Sequence, residues 1–358
     1  MRNGHLFICL FCTQILLAQV ARKYANEFLN IGVDAAAFGM GKAVVASSDN
    51  VNAIYWNPAG LTALEDLQGS LMHASYFEGI ANYDHLALAL PVDDRSVLGF
   101  SLIRFGVDDI LNTTQLIDSE GNIDYNRISL FSAADYALNV AYARQLVAQE
   151  LSVGINAKII RRIIGDFADS WGFGLDAALQ FERGQWSFGL LLRDLTTTFN
   201  TWRIDTAALA DIQNSLPGEN QSAPESTEIS LPKAQLGVAR RFALNRDLEL
   251  LTELDLTLRF SQTNDLISSK ILSIDPAFGL QIAYIDRVFL RAGIGNFQRT
   301  LAFDGDYQTS VQPNVGLGFH YNGIHIDYAL TNIGSVGAAL YSNIFSIVVD
   351  IGYFRRVK

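Results

Sequence analysis

Apolar and polar side chains alternate along most of the chain, and this alternation narrows the possible folds more than any other feature. Over Trp171–Glu182, one face carries Trp171, Phe173, Leu175, Ala177, Leu179 and Phe181. The other carries Gly172, Gly174, Asp176, Ala178, Gln180 and Glu182. Trp186, Phe188, Leu190 and Leu192 alternate with Ser187, Gly189, Leu191 and Arg193. Leu248–Leu258 sets Glu249, Glu253 and Asp255 on its polar face. Phe345, Ile347, Val349, Ile351 and Tyr353 alternate with Ser346, Val348, Asp350 and Gly352. A period of two marks a strand with two unlike faces. Such segments begin near Leu67, Tyr83, Ser96, Tyr136, Leu151, Trp171, Trp186, Lys233, Leu248, Pro276, Val288, Asn314, Ile324 and Phe345. That makes about fourteen strands of roughly ten residues, the length that crosses a bilayer when tilted.

The connections alternate as well. Short ones fall at Asp93-Asp94-Arg95, Ala148-Gln149-Glu150, Arg183-Gly184-Gln185, Asn245-Arg246-Asp247, Asp286-Arg287 and Asn322-Gly323, the last a strong hairpin signal. Long ones fall near 104–134, 163–170, 196–232, 259–275, 297–312 and 331–344, and the 196–232 stretch holds Pro217-Gly218, Ser222 and Pro224. Short turns at one end and long loops at the other describe an outer-membrane barrel. A soluble sandwich or propeller also alternates, but it has no reason to gather its short turns at one end. Nor does it suit a second face that is glycine-rich with isolated charges such as Lys158, Arg193, Asp255, Arg291, Asp327 and Asp350. Lipid cannot satisfy an open sheet edge, so strands with a lipid-facing side must close on themselves. The sequence therefore predicts an all-β, transmembrane antiparallel β-barrel over 67–358, preceded by a separate N-terminal segment.

Composition agrees. The chain of 358 residues is 49% hydrophobic and 18% charged, which excludes a disordered chain. Its net charge of -11 argues against nucleic acid as a partner, because phosphate contact needs clustered Lys and Arg. The single continuous apolar stretch is at the start. Arg2, then Leu6–Ala18, then Gln19 reads as a signal peptide over 1–18. Both cysteines, Cys9 and Cys12, fall inside it, so a processed chain has no disulfide and no thiolate metal site.

Residues 19–66 do not alternate. Tyr24–Ala36 has a weak helical pattern. Phe38-Gly39-Met40-Gly41-Lys42-Ala43 is a run of small residues without the frame or ending of a phosphate loop. Tyr55-Trp56-Asn57-Pro58-Ala59-Gly60-Leu61 follows, with Asn57-Pro58 initiating a turn. An apolar, glycine-rich segment ahead of the first strand belongs in the lumen or against its periplasmic mouth, as a hatch or as a plain plug. Gly39, Gly41, Tyr55, Trp56, Asn57, Pro58 and Ala59 are its candidate functional residues.

The run Asn26–Val33, then Gly39-Met40-Gly41, Val45-Ala46 and Asp49, ending in Tyr55–Leu61, resembles the N-terminal signature of the PorV/PorQ family. The similarity continues through Tyr142-Ala143-Arg144, Leu151–Gly154, Lys158, Gly174-Leu175-Asp176 and Leu250–Thr257. That family comprises outer-membrane barrels of the type IX secretion system, akin to the FadL long-chain fatty-acid transporters, with which the Asn-Pro-Ala element is shared. The resemblance implies a non-enzymatic protein in the outer-membrane lipid. Its expected partners are type IX translocon or sortase subunits and the C-terminal signal domains of cargo. The hatch element shared with FadL implies the alternative, a channel for hydrophobic solutes.

No catalytic, cofactor-binding or metal residue is expected. His73, His85, His320 and His325 form no zinc pattern, and no nucleophile elbow is present. Asp93-Asp94 and Asp108-Asp109 read as turn or loop residues, and Asp304 and Asp306 offer too few ligands for calcium.

Overall fold

The computed structural model describes residues 25–117, 121–146, 150–206, 227–301, 305–331 and 342–356. The stretch 1–18 read as a signal peptide, Pro217, Gly218, Ser222 and Pro224 in the long loop, and Asp304 lie outside them.

Fourteen antiparallel strands form the wall. They are β1 Gln68–Tyr76, β2 Ala81–Asp93, β3 Ser96–Asn112, β4 Ser129–Gln145, β5 Leu151–Ile164 and β6 Ala168–Arg183. Next, β7 runs over Trp186–Arg193 and resumes at Thr198–Ile204, and β8 runs over Thr227–Ser230 and resumes at Lys233–Ala243. Then come β9 Leu248–Arg259, β10 Ser273–Tyr284, β11 Val288–Leu301, β12 Tyr307–Tyr321, β13 Ile324–Thr331 and β14 Ser342–Asp350. Each pairs with its neighbours, and β1 pairs with β14 from Gln68↔Asp350 to Ser75↔Asn343, which closes the cylinder. The faces sort as the alternation predicts. Leu71, Phe173, Leu175, Leu290 and Leu317 project outward, while Lys158, Asp176, Arg193, Glu253, Asp255 and Asp327 are buried inside.

Several sequence boundaries need correction. β3 and β4 are 17 residues each and pair out to Asn112↔Ser129, so the connection read as 104–134 spans only 113–128. Asp108 and Asp109 therefore lie in β3, with Asp109 at φ 57 in a bulge between Val107 and Ile110. Likewise Thr198–Ile204 and Thr227–Ser230 are strands inside the stretch read as a loop at 196–232. Beyond the lipid the outward face no longer needs to be apolar, so strands run on without the pattern that reveals them. At the C-terminus the alternation continues through Tyr353, but β14 stops at Asp350 and a helix covers Ile351–Arg356. Its partner β1 begins at Gln68, and the amides of Ile351 and Gly352 turn to the Leu67 carbonyl.

Residues 25–66 fill the interior. Short turns cover Glu27–Asn30 and Pro58–Ala63, with helices α1 Ala35–Gly39 and α2 Ala53–Trp56 between them. The continuous helix suggested over Tyr24–Ala36 does not form, because Asn26, Gly32 and Asp34 take positive φ values of 62, 108 and 72. Asp34 then caps α1 by accepting from the Ala36 amide.

The sorting of faces has a direct test. Leu175→Arg, on the lipid side of β6, should lower unfolding stability in lipid vesicles by about 2–4 kcal/mol, whereas Gln185→Arg in the exposed short turn should change it by about 1 kcal/mol or less.

Candidate functional site

The inner segment is seated on the wall by its backbone. The Asp255 carboxylate of β9 accepts from the amides of Val44 and Val45, at 2.9 and 3.0 Å, and Glu253 accepts from Ala46 at 2.6 Å. From β6, the Gln180 amide donates to the carbonyl of Ala46 at 2.8 Å. A chain lying this close to a wall needs a wall without side chains. A Cβ on Gly189 would meet the Val45 carbonyl oxygen at 2.2 Å, and one on Gly293 would meet Met40 at 2.1 Å. The glycine-rich inner face is thus the imprint of the segment that lies on it.

Of the residues singled out by sequence, Gly39, Gly41, Tyr55, Asn57, Pro58 and Ala59 stand at this contact, and Trp56 packs within the segment. Gly39 ends α1 against Gly316, and Gly41, at φ 66, lies against Gly293 and Ile294. Asn57 is fully buried; its side-chain amide donates to the carbonyls of Val45 (2.7 Å) and Leu179 (3.2 Å), and its oxygen accepts from the Ala59 amide. Pro58 opens the turn that Asn57 caps, and Ala59 packs on Gly154 of β5. Trp56 donates through Nε1 to the Val33 carbonyl at 2.9 Å. Tyr55 donates to the Leu29 carbonyl, and its ring lies 4.1 Å from the Arg193 guanidinium carbon. Arg193 in turn donates to the carbonyls of Tyr55 (2.8 Å) and Leu29 (3.3 Å). Behind it, Lys158 is held between Asp176 (2.8 Å) and Asp194 (2.6 Å), a buried cation with two carboxylate partners.

Sequence reasoning missed a break in the wall at this point. β7 pairs β8 at Arg193↔Lys233 and again at Thr198↔Ser230, and between these Asp194–Thr197 faces Leu231-Pro232 without a ladder. Asp194 and Thr197 have φ values of 54 and 61. Pro232, which cannot donate to a ladder, was the available signal. Residues 26–30 back the break from inside. Asn26 bonds Ser230 and Asn200, and Asn30 accepts from Lys233. Leu195 and Leu231 flank it on the outside, both exposed.

On the other side of the inner segment lies a cavity of about 310 Å³, between α1 and strands β8 to β14 and β1. Its lining mixes Met40, Trp56, Leu251 and Phe289 with Asp34, Arg291 and Asp327. Arg291 pairs with Asp327 at 2.5 Å. Burial, then the nearby Asp327 charge, pushes the Asp34 carboxyl up to about 6. A raised acid binds its proton more tightly in the seated state. Asp34's contribution to seating is therefore fully present below its ordinary value of 3.8 and falls as pH rises through about 6.

No protein-family model matches the chain, and no curated protein matches it in sequence. Solved structures do match in fold. The Pseudomonas putida toluene transporter TodX superposes with a TM-score of 0.53 at 13% identity, over 93% of this chain and 98% of that one. A Pseudomonas aeruginosa FadL homologue gives 0.51 at 13%, over 89% and 98%. The Ralstonia pickettii toluene transporter TbuX gives 0.50 at 12%, over 89% and 98%. The likeness is one of fold: a closed, FadL-like barrel.

Two measurements probe the seat. Asp255→Ala leaves two buried amides without an acceptor, at about 1–3 kcal/mol each. Hydrogen exchange at Val44–Ala46 should accelerate at least tenfold, and unchanged protection would show that the carboxylate does not seat the segment. Corrected for intrinsic rates, exchange across Asp34–Ala37 should be faster at pH 8 than at pH 4.5, and Asp34→Asn should remove that difference.

Proposed function

We propose that this protein is an outer-membrane channel for small hydrophobic solutes, with residues 25–66 acting as its hatch. The observation that carries the reading is the interrupted ladder between β7 and β8. A solute that partitions into lipid needs an opening through the side of the barrel, and the break supplies a stretch where β7 and β8 share no ladder, flanked by exposed Leu195 and Leu231. It is covered from inside by residues 26–30, which hold it through side-chain bonds that can exchange for water. Movement of that stretch would join the lipid side to the interior. The fold shared with two toluene transporters supports the same reading. Cross-linking Asn30→Cys to Lys233→Cys, with Cys9 and Cys12 replaced by Ser, should cut toluene uptake at least tenfold in a host lacking other such channels. Reduction should restore it; equal uptake in locked and reduced forms would overturn the proposal.

A docking role in type IX secretion is the second reading, supported by the resemblance and by one structural observation. The part of β3 and β4 that overhangs the lipid, with its connection, exposes Leu111, Ile117, Ile123, Tyr125 and Leu130 at the long-loop end. Exposed apolar clusters of this kind mark protein contacts. The proposed partners are translocon or sortase subunits and cargo signal domains. Co-purification from solubilised outer membranes should recover one of them with the wild-type chain and lose it with Tyr125→Asp/Leu130→Asp.

A further inference from the structure

Three side chains of metal-ligating type, two flanking the Asn322-Gly323 turn and one from the next strand, meet on the inner face at the short-turn end. His320 of β12 and His325 of β13 are cross-strand partners, and their rings stack with centroids 3.6 Å apart. Asp350, at the end of β14, brings a carboxylate oxygen within 3.5 Å of His325 Nε2. One donor atom from each residue can be chosen so that all lie within 4.8 Å of one another, and all three residues are half-buried. From this juxtaposition we propose that the barrel binds one divalent transition-metal ion of the zinc class through His320, His325 and Asp350.

The donor set decides the class. Two imidazoles and one carboxylate suit zinc and its first-row neighbours, whereas calcium and magnesium prefer oxygen alone. Three protein ligands leave a fourth position open, and His325 lines the cavity described above, so that position is reached from it. Zinc bonds of about 2.0–2.2 Å place donor atoms roughly 3.5 Å apart, so the cluster needs to contract by about an ångström. That contraction requires the half-buried imidazoles to turn about their side-chain bonds.

The surroundings are built as an outer shell. Gln68 donates through Nε2 to the other Asp350 oxygen at 2.6 Å, which leaves the oxygen nearer His325 free for an ion. The Gln68 side-chain oxygen Oε1 is itself fixed, accepting from the amide of Val51 at 2.7 Å. Ligand orientation by a second residue is what metal sites require, and loss of such a residue costs about 10–100-fold in affinity. Here Gln68 is the positioning residue, and it ties the site to the inner segment through Val51.

The test uses the full processed barrel in detergent, without a histidine tag, stripped with chelator and titrated with Zn²⁺ and Co²⁺. We expect saturable binding of one ion per chain, and with Co²⁺ the visible absorption of a four-coordinate centre. His320→Asn and His325→Asn should each abolish it, and Gln68→Leu should weaken it about tenfold or more. Circular dichroism of each variant establishes that the barrel has formed. Should a variant fail to form, diethylpyrocarbonate modification of wild-type histidines with and without Zn²⁺ replaces it, and His320 and His325 should be protected. Absence of saturable binding, or binding unchanged in both histidine variants, would show a hydrogen-bonded histidine–aspartate cluster and overturn the proposal.

Discussion

Closure of the sheet governs everything else in this molecule. Hydrocarbon offers no partner to a backbone amide, so the eight register pairs that join β1 to β14 are a condition for the other strands to sit in lipid at all. Once the seam exists, outward side chains are free to be greasy and inward ones must find partners among themselves. The interior then becomes a place where charges can be buried. Lys158 between Asp176 and Asp194, Arg291 with Asp327, and Arg193 against backbone carbonyls are affordable only because each is paired.

The inner segment uses those same groups. It has short helices and turns, little regular hydrogen bonding of its own, and many backbone groups to satisfy. Wall carboxylates and amides supply the partners, and wall glycines supply the room. Neither component is explicable without the other: glycines at Gly189 and Gly293 would weaken a strand in an empty pore, and residues 44–46 would lack acceptors in water-free surroundings.

This dependence explains what could be read from the chain in advance. Strand number and facing were legible because lipid imposes alternation on every crossing, from Trp171–Glu182 to Phe345–Val349. Strand ends were not, because beyond the lipid at Asp108 or Thr198 nothing enforces the pattern. At the candidate site, Asn57-Pro58-Ala59 stood out as local turn chemistry, and Glu253 and Asp255 stood out as acids on a lumen face. Their pairing with Val44, Val45 and Ala46 spans some two hundred residues and left no local trace. The ladder break was hidden for a different reason: Pro232 fell within a stretch already assigned to a loop. Asp350 was likewise read as one scattered lumen charge, since only the register of β13 against β14 brings it beside His325.

Gln68 occupies an unusual position. It is the first residue of the first strand, it pairs with the final residue of the last, and its side chain holds both Asp350 and the amide of Val51. Beginning, end and contents of the cylinder are thus knotted at one amide group. Whatever loosens that group is therefore felt at the seam and in the filling alike, and neither the closure of the sheet nor the seating of the inner segment is isolated from the other.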